Sequence, residues 1–232
     1  MGIIQRERSI IPACDVHLET YQRIVWETAD IDGVGGYKVG FHLGLGWGLP
    51  KVVEVTRKYT DKPIIYDHQK AGTDIPDTAK NFSVTLRDSG VNAAILFPQS
   101  GPETEKAWIE ALREDGIGVI VGGLMTHPRY VRSEGGYLAD DAILEIYLNA
   151  AELGVTDFVV PGNRPNDIRR IREALEQRGI SPTFYAPGFV AQGGSISDAA
   201  KVAGNSWHAI LGRGITKAED IKKAALEHAS QL

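Results

Sequence analysis

The sequence contains very little cysteine: Cys14 is the only one in 232 residues. A single thiol cannot form a disulfide within the chain, and it excludes a CxxC metal or redox site. No apolar run is long enough to span a bilayer, and the N-terminus lacks the apolar segment of a secretory signal. From these absences we expect a cytoplasmic protein with no membrane partner.

The sequence also lacks a run of basic residues. It has 25 Lys and Arg against 30 Asp and Glu, with a net charge of -5 and both signs interspersed. This distribution argues against nucleic acid as the main partner, but it leaves open an anionic small molecule that binds a local site. The histidines form neither HxH nor HExxH, so we expect no metal site.

What is present is a regular alternation of apolar runs and amphipathic stretches. The apolar runs are continuous and rich in β-branched residues, which is typical of parallel strands buried on both faces. We predict strands at 9–14, 35–39, 62–66, 92–97, 117–121, 157–160, 182–186 and 207–211. We predict helices at roughly 17–30, 47–59, 76–89, 102–115, 139–153, 166–178, 196–204 and 217–230, with Thr216 as the N-cap of the last.

This alternation predicts the α/β class and a single (β/α)8 TIM barrel over residues 1–232, since no Pro/Gly/Ser-rich linker divides the chain. An open doubly wound sheet is the alternative. In a barrel, functional side chains gather at the carboxyl ends of the strands. The residues that follow each predicted strand are therefore the candidates for a site.

The third strand end carries the densest charge. Asp67, Lys70 and Asp74 follow an apolar run within eight residues, and carboxylates crowded beside an ammonium are typical of active sites. A solvated loop with an incidental ion pair is the alternative. Lys38 lies inside an apolar strand, where it needs an acid such as Asp15 or Asp67 as a partner. The sequence does not separate a structural ion pair from a catalytic ammonium at this position.

Glycines and an arginine follow the last two strands. Pro187-Gly-Phe, Gln192-Gly-Gly and Gly212-Arg213-Gly lie where barrels of this kind bind phosphate through backbone N–H groups and a short helix. Arg213 can supply a bidentate cation there. Ordinary turn glycines are the alternative. Thr126, after the fifth strand, is a candidate for contact with a polar ligand edge.

These residues, in this order, resemble the orotidine 5'-monophosphate decarboxylase family. The resemblance spans nearly the whole chain and is carried by Tyr-Lys-Val-Gly (37–40), Asp-Ile-Pro-Asp-Thr (74–78), Met-Thr-His-Pro (125–128), Pro-Gly-Asn-Arg-Pro (161–165), Ala-Pro-Gly-Phe-Val-Ala-Gln-Gly-Gly (186–194) and Leu-Gly-Arg-Gly (211–214). It implies a (β/α)8 barrel that forms homodimers with active sites at the interface. It also implies cofactor-independent conversion of orotidine 5'-monophosphate to uridine 5'-monophosphate in pyrimidine biosynthesis.

The resemblance also assigns roles to individual residues. It implies a catalytic array of Lys38, Asp67, Lys70 and Asp74, with Asp74 donated by the neighbouring subunit. The implied substrate-binding residues are Asp15 with Lys38 at the ribose, Thr126 at the pyrimidine edge, Gln192, Gly212 and Arg213 at the 5'-phosphate, Ile75 and Thr78 at the partner's ligand, and Pro187. The 162–165 loop is the candidate lid.

One feature departs from the family pattern. The usual Asp-x-Lys-x-x-Asp is here Asp67-x-x-Lys70-x-x-x-Asp74, two residues longer. Residues i and i+3 of a strand do not share a face, so we expect a bulge or loop at Gln69 or Gly72 to re-aim Lys70.

Three other functions stay open at this point. The first is a magnesium-dependent sugar-phosphate decarboxylase or hexulose-phosphate synthase of the same superfamily. By resemblance, those enzymes have a glutamate at the position that Lys38 occupies here, and a lysine at that position disfavours a metal. The second is a non-catalytic nucleotide-binding relative, in which the lengthened motif has lost its chemistry. The third and weakest is an unrelated phosphosugar isomerase on the same fold.

Overall fold

Eight parallel strands close into a barrel in chain order. A computed structural model describes residues 2–189 and 193–232, with only the backbone described at 69–71. The strands are β1 (Arg8–Cys14), β2 (Tyr37–Gly40), β3 (Ile64–Ala71), β4 (Ala93–Leu96), β5 (Gly118–Gly122), β6 (Asp157–Val159), β7 (Thr183–Ala186) and β8 (Trp207–Leu211). The predicted TIM barrel is confirmed, and the doubly wound alternative is wrong because β1 pairs with β8.

Helices surround the barrel and connect successive strands. They are α1 (Leu18–Thr28), α2 (Phe41–Trp47), α3 (Leu49–Arg57), α4 (Ala79–Ser89), α5 (Pro102–Glu114), α6 (Asp140–Glu152), α7 (Pro165–Gln177), α8 (Ile196–Ala200), α9 (Arg213–Thr216) and α10 (Ile221–Ala229). Two single turns of 3-10 helix lie at Pro76–Thr78 and Arg132–Glu134. Within the described ranges, no helix is both long and apolar enough to cross a membrane.

Three local predictions need correction. Strand β3 continues past Tyr66 to Ala71, so Asp67 lies within the strand. Helix α2 was not predicted; its short Gly-containing segment, Phe41–Trp47, buries only Leu43 and gives little helical periodicity. Thr216 ends the short helix α9, whereas the carboxylate of Asp220 caps α10 by accepting a hydrogen bond from the Lys223 amide.

The strands are buried on both faces, as the continuous apolar runs predict. Residues such as Tyr37, Phe158 and Trp207 face outward and pack with the helices in one large cluster. Residues such as Ile11 and Ile120 face inward and fill the barrel in a second cluster. Alternation along each strand therefore decides which side chains enter the barrel.

The two mouths of the barrel are closed in different ways. At the amino ends of the strands, which we call the lower end, Ile4 is buried and Ile3 packs with it against the inward cluster. At the carboxyl ends, the upper end, Lys38 and Asp67 face inward among apolar residues and border a cavity. The fold thus leaves the upper end for a site.

Candidate active site

A partly buried ion pair lies at the upper end of the barrel. Lys38 on β2 donates a hydrogen bond from Nζ to Oδ2 of Asp67 on β3, at 2.6 Å. Only 12% of the Lys38 side chain and 13% of the Asp67 side chain are exposed. Gly40, not Lys38, is the direct pairing partner of Asp67 in the ladder, so the lysine side chain leans along the barrel to reach the carboxylate. Of the two partners proposed for Lys38 from the sequence, Asp67 makes the contact.

The pair borders a cavity of about 190 Å³ inside the upper barrel. Four residues predicted for the site line it together: Lys38, Asp67, Thr126 and Pro187. The remaining lining is apolar and was not predicted; it consists of Ile95, Phe97, Met125, Val159 and Ile210. Ile95, Val159 and Ile210 occupy inward positions on their strands, and that alternation is the signal that could have identified them, whereas Phe97 and Met125 lie just past β4 and β5. The cavity combines a fixed charge pair with walls that are suited to a flat ring.

Strand β3 contains an irregularity directly after Asp67. Asp67 pairs with Ile95 and Ala71 pairs with Leu96, so an advance of four residues along β3 corresponds to an advance of only one residue along β4. The bulge expected from the lengthened motif is therefore present in the backbone. Gly72 follows it with a φ of +88°, a conformation in which any other residue would be strained. The Lys70 side chain lies outside what the structure describes, so its predicted role is untested.

The second half of the lengthened motif lies away from this cavity. Asp74 and Ile75 line a separate depression between the β3–α4 and β4–α5 loops. Ile75 is 58% exposed, although it is a large apolar side chain. The Asp74 carboxylate accepts a hydrogen bond from the Ile75 amide, and Thr78 lies in the following 3-10 turn. Within one subunit the structure does not bring these three residues to Lys38 and Asp67.

Thr126 is held by a residue of the next loop. Asn163 donates a hydrogen bond from Nδ2 to the Thr126 carbonyl at 3.2 Å. Beside it, Arg164 forms an ion pair with Glu134 at 2.6 Å, and this hydrogen bond lowers the pKa of Glu134. The 162–165 segment, predicted as a lid, is thus tied to the β5–α6 loop. No sequence signal pointed to Glu134, because its partner lies 30 residues away.

The predicted phosphate-binding residues flank the upper end at β7 and β8. Gly212 precedes the short helix α9, and Arg213 at its start is exposed. The β7–α8 loop folds back on itself, because the Gly194 amide donates to the Gly188 carbonyl. A Cβ at position 194 would lie 2.6 Å from that carbonyl oxygen, so the loop requires glycine there. Gln192 lies outside the described residues.

Asp15 and Cys14 end β1 next to the ion pair. The Asp15 carboxylate is exposed and lies 3.1 Å from where a Cβ of Gly40 would be, so a larger residue at 40 would crowd it. Burial raises the pKa of Cys14 to about 12, which keeps it a neutral thiol. Cys14 is therefore a packing residue, as its apolar surroundings suggest.

In the described part of the chain, no group of three or more His, Cys, Asp or Glu side chains is arranged to hold a metal ion. Among the residues whose side chains the structure describes, the titratable groups that line the cavity are Lys38 and Asp67.

The fold and the site define a class: (β/α)8 barrel proteins with a partly buried Lys–Asp pair at the carboxyl ends of the strands. Residues 10–228 match the family described as Orotidine 5'-phosphate decarboxylase / HUMPS family. The chain belongs to this family, and the predicted resemblance is confirmed.

Relatives that carry the decarboxylase name cover most of the chain. An orotidine 5'-phosphate decarboxylase of Methanosarcina mazei is 34% identical over 199 residues, which are 86% of this chain and 84% of the relative. One of Thermococcus kodakarensis is 32% identical over 220 residues, 94% of each chain. The crystal structure of orotidine 5'-monophosphate decarboxylase from Methanocaldococcus jannaschii, complexed with the inhibitor BMP, has a TM-score of 0.84 and 26% identity, and the match covers 98% of this chain and 99% of that one.

Proposed function

We propose that this protein decarboxylates orotidine 5'-monophosphate to uridine 5'-monophosphate, as the names of its relatives state for them. The observation that carries the proposal is the Lys38–Asp67 pair, which lies 2.6 Å apart on the wall of an otherwise largely apolar cavity. The pair places fixed charges beside a surface that suits a pyrimidine ring. Such preorganised charge in a water-poor site is the usual source of transition-state stabilisation.

The reaction breaks the bond between C6 of the ring and its carboxylate. Carbon dioxide leaves, the electron pair stays at C6, and a proton then adds to that carbon. Lys70 stabilises the charge that develops at C6 and delivers the proton. Asp67 faces the departing carboxylate, and the hydrogen bond from Lys38 holds the Asp67 carboxylate in place. Thr126 contacts the pyrimidine edge, while Asp15 and Lys38 hold the ribose.

The phosphate binds apart from the reacting carbon. Gln192, Gly212 and Arg213 hold it, with Pro187 on the wall between phosphate and ring. Binding energy from this remote group orients the ring and favours closure of the loops around it. A truncated substrate without the phosphate should therefore lose turnover as well as affinity.

The test is the ultraviolet absorbance of orotidine 5'-monophosphate mixed with purified protein and a chelator. We expect the orotate absorbance to fall with time, and Lys70→Ala to abolish the fall while uridine 5'-monophosphate still binds. Binding without turnover in the unsubstituted protein would instead indicate a non-catalytic relative. Turnover of a sugar phosphate that requires magnesium would indicate the other branch of the family.

We further propose a homodimer in which each site takes Asp74, Ile75 and Thr78 from the partner subunit. Within one chain these residues lie outside the Lys38–Asp67 cavity and expose an apolar side chain, Ile75, at 58%. Leu45 on α2 is 76% exposed and borders an apolar groove with Tyr66 and Phe82. Exposed apolar surface of this kind is typical of a face that another subunit covers.

Mixing two impaired variants tests the shared site. Lys38→Ala and Asp74→Asn should each lower the kcat of the homodimer about 10³-fold and leave a measurable residual activity, but a mixed dimer contains one site in which both residues are intact. Random reassortment should restore about a quarter of the unsubstituted activity, as expected for a two-fold dimer. A mixture that stays at the residual activity, although reassortment is demonstrated by differently tagged subunits, would place both residues in the same subunit's site.

A further inference from the structure

Two side chains of helix α5 hold the backbone of the segment that carries Asp74. Thr104 donates a hydrogen bond from Oγ1 to the carbonyl of Asp74 at 3.0 Å. Trp108 donates from Nε1 to the carbonyl of Ile75 at 3.3 Å. The two donors are four residues apart on α5 and therefore share one helix face. Their acceptors are consecutive carbonyls of a segment that has no regular secondary structure.

The donors are fixed, whereas the segment they hold is on the surface. Thr104 is 4% exposed and Trp108 is 5% exposed. The Trp108 ring packs at 4.8 Å from the ring of Phe82 on α4, which fixes the direction of its N–H. Asp74 is exposed and Ile75 is 58% exposed. An exposed segment is thus attached from beneath to the buried core.

The same unit of the barrel supports the start of the segment. Gly72 leaves the β3 bulge in a left-handed conformation, and a Cβ there would lie 3.5 Å from the Cα of Pro98, just after β4. Ladder pairing between β3 and β4 ends at Ala71 and Leu96. From Gly72 onward, the backbone is therefore guided by contacts with the β4–α5 unit and not by the ladder.

We propose that Thr104 and Trp108 are positioning residues that set where Asp74 and Ile75 are presented to the neighbouring site. This inference rests on the proposed function. The bulge adds residues between Asp67 and Asp74, and a longer connection lets the acid take more positions. Two buried donors on consecutive carbonyls restore a single position. Catalytic groups need placement to within about half an ångström, so this restraint bears on turnover.

The test removes each donor without removing the packing. Thr104→Val keeps the shape and deletes the hydroxyl, and Trp108→Phe keeps an aromatic ring and deletes the N–H. We expect each to lower kcat for orotidine 5'-monophosphate roughly 5- to 30-fold, the equivalent of one or two hydrogen bonds. The Kd of uridine 5'-monophosphate should change less than about twofold, because phosphate binding is remote. Thr104→Ser should restore kcat.

A double substitution separates positioning from general destabilisation. If Thr104 acts through Asp74, then Thr104→Val should cause no further loss of kcat in an Asp74→Ala background. Thr56→Val is the matched control: Thr56 is a fully buried helical threonine on α3, and its hydroxyl is hydrogen-bonded to Tyr21 on α1. It should lower the free energy of unfolding and leave kcat unchanged.

Three results would overturn the proposal. One is a loss of stability in both single variants with kcat within about twofold of the unsubstituted value, which is the purely structural result. The second is an equal loss of kcat with and without Asp74, and the third is failure of serine to rescue. Absence of turnover in the unsubstituted protein is a separate outcome, because it removes the proposed function and the inference together.

Discussion

The barrel contains two inward-facing sets of polar side chains, one at each end. The upper set is the Lys38–Asp67 ion pair, which borders a cavity. The lower set comprises Ser9, Asp157, Tyr185 and His208, which we call the lower polar layer. In that layer Ser9 Oγ lies 2.8 Å from His208 Nδ1, and the Tyr185 hydroxyl donates to the Asp157 carboxylate at 2.9 Å.

The two sets differ in charge and in space. His208 is fully buried, and burial lowers its pKa to about 4, so its imidazole is neutral at pH 7. Burial likewise raises the pKa of Asp157. The lower polar layer is covered by the buried side chain of Ile4, and its members are hydrogen-bonded in pairs. The upper set is an ion pair that borders a cavity. We propose that polar residues inside this one barrel serve stability at the lower end and chemistry at the upper end.

The largest expected effect is at the upper end. Lys38→Ala removes the ammonium that donates to Asp67, and we expect kcat/KM for orotidine 5'-monophosphate to fall at least about 10³-fold. Lys62→Ala is the matched control, because Lys62 is a half-buried lysine at the lower end that donates to the Ile31 carbonyl. It should leave kcat/KM within about threefold. Equal losses in the two variants would contradict the division between the ends.

A smaller effect, on stability alone, is expected in the lower polar layer as pH falls. The pKa of His208 is about 4 in the folded protein against an ordinary 6.5. As pH falls, the imidazole is therefore protonated in the unfolded chain before it is protonated in the folded protein. The free energy of unfolding should fall between pH 6.5 and pH 4, by up to about 3 kcal/mol, and His208→Gln should lose this dependence. Urea unfolding of both proteins at several pH values measures it.

Glu105 provides the control of opposite sign for that measurement. It is buried between helices α5 and α6, and burial raises its pKa from 4.5 to about 8. As pH rises, the Glu105 carboxyl ionises in the unfolded chain before it ionises in the folded protein. Its contribution therefore lowers the free energy of unfolding between pH 4.5 and pH 8. Glu105→Gln should therefore flatten the high-pH side of the curve. Identical pH profiles for the His208 and Glu105 variants would contradict both assignments.

The smallest effect is expected from one hydroxyl of the lower layer. Tyr185→Phe keeps the ring and removes a hydrogen bond to Asp157, which should cost about 1–3 kcal/mol in the free energy of unfolding. The kcat of the folded fraction should not change. A change in kcat with stability intact would indicate that the lower layer acts on the upper site.

Much of the upper end could be predicted from the sequence, because local pattern and strand position determine it. An apolar strand with one lysine required a nearby acid, and Asp67 is that acid. The longer spacing to Asp74 required an irregular strand, and the bulge is present. The first inference follows from the apolar pattern of the strand, and the second combines the alternation of side chains along a strand with the shorter spacing that the family resemblance implies.

The remaining features depend on contacts between distant segments. The bonds from Thr104 and Trp108 to the Asp74 segment join residues 30 and 33 positions apart. Ser9 and His208 are 199 positions apart, and each alone resembles an isolated polar residue in an apolar strand. Closure of the barrel, which pairs β1 with β8, is what brings that pair together. A single sequence carries no signal for such contacts beyond the fold itself.

The most direct test of this division compares the two inward-facing carboxylates, Asp67 and Asp157, as alanine variants. Decarboxylation of orotidine 5'-monophosphate and urea unfolding are measured on both proteins. We predict that Asp67→Ala loses turnover and remains folded, and that Asp157→Ala keeps the kcat of the folded protein while losing about 1–3 kcal/mol of stability. Full turnover in Asp67→Ala, or loss of turnover in a stable Asp157→Ala protein, would contradict the account.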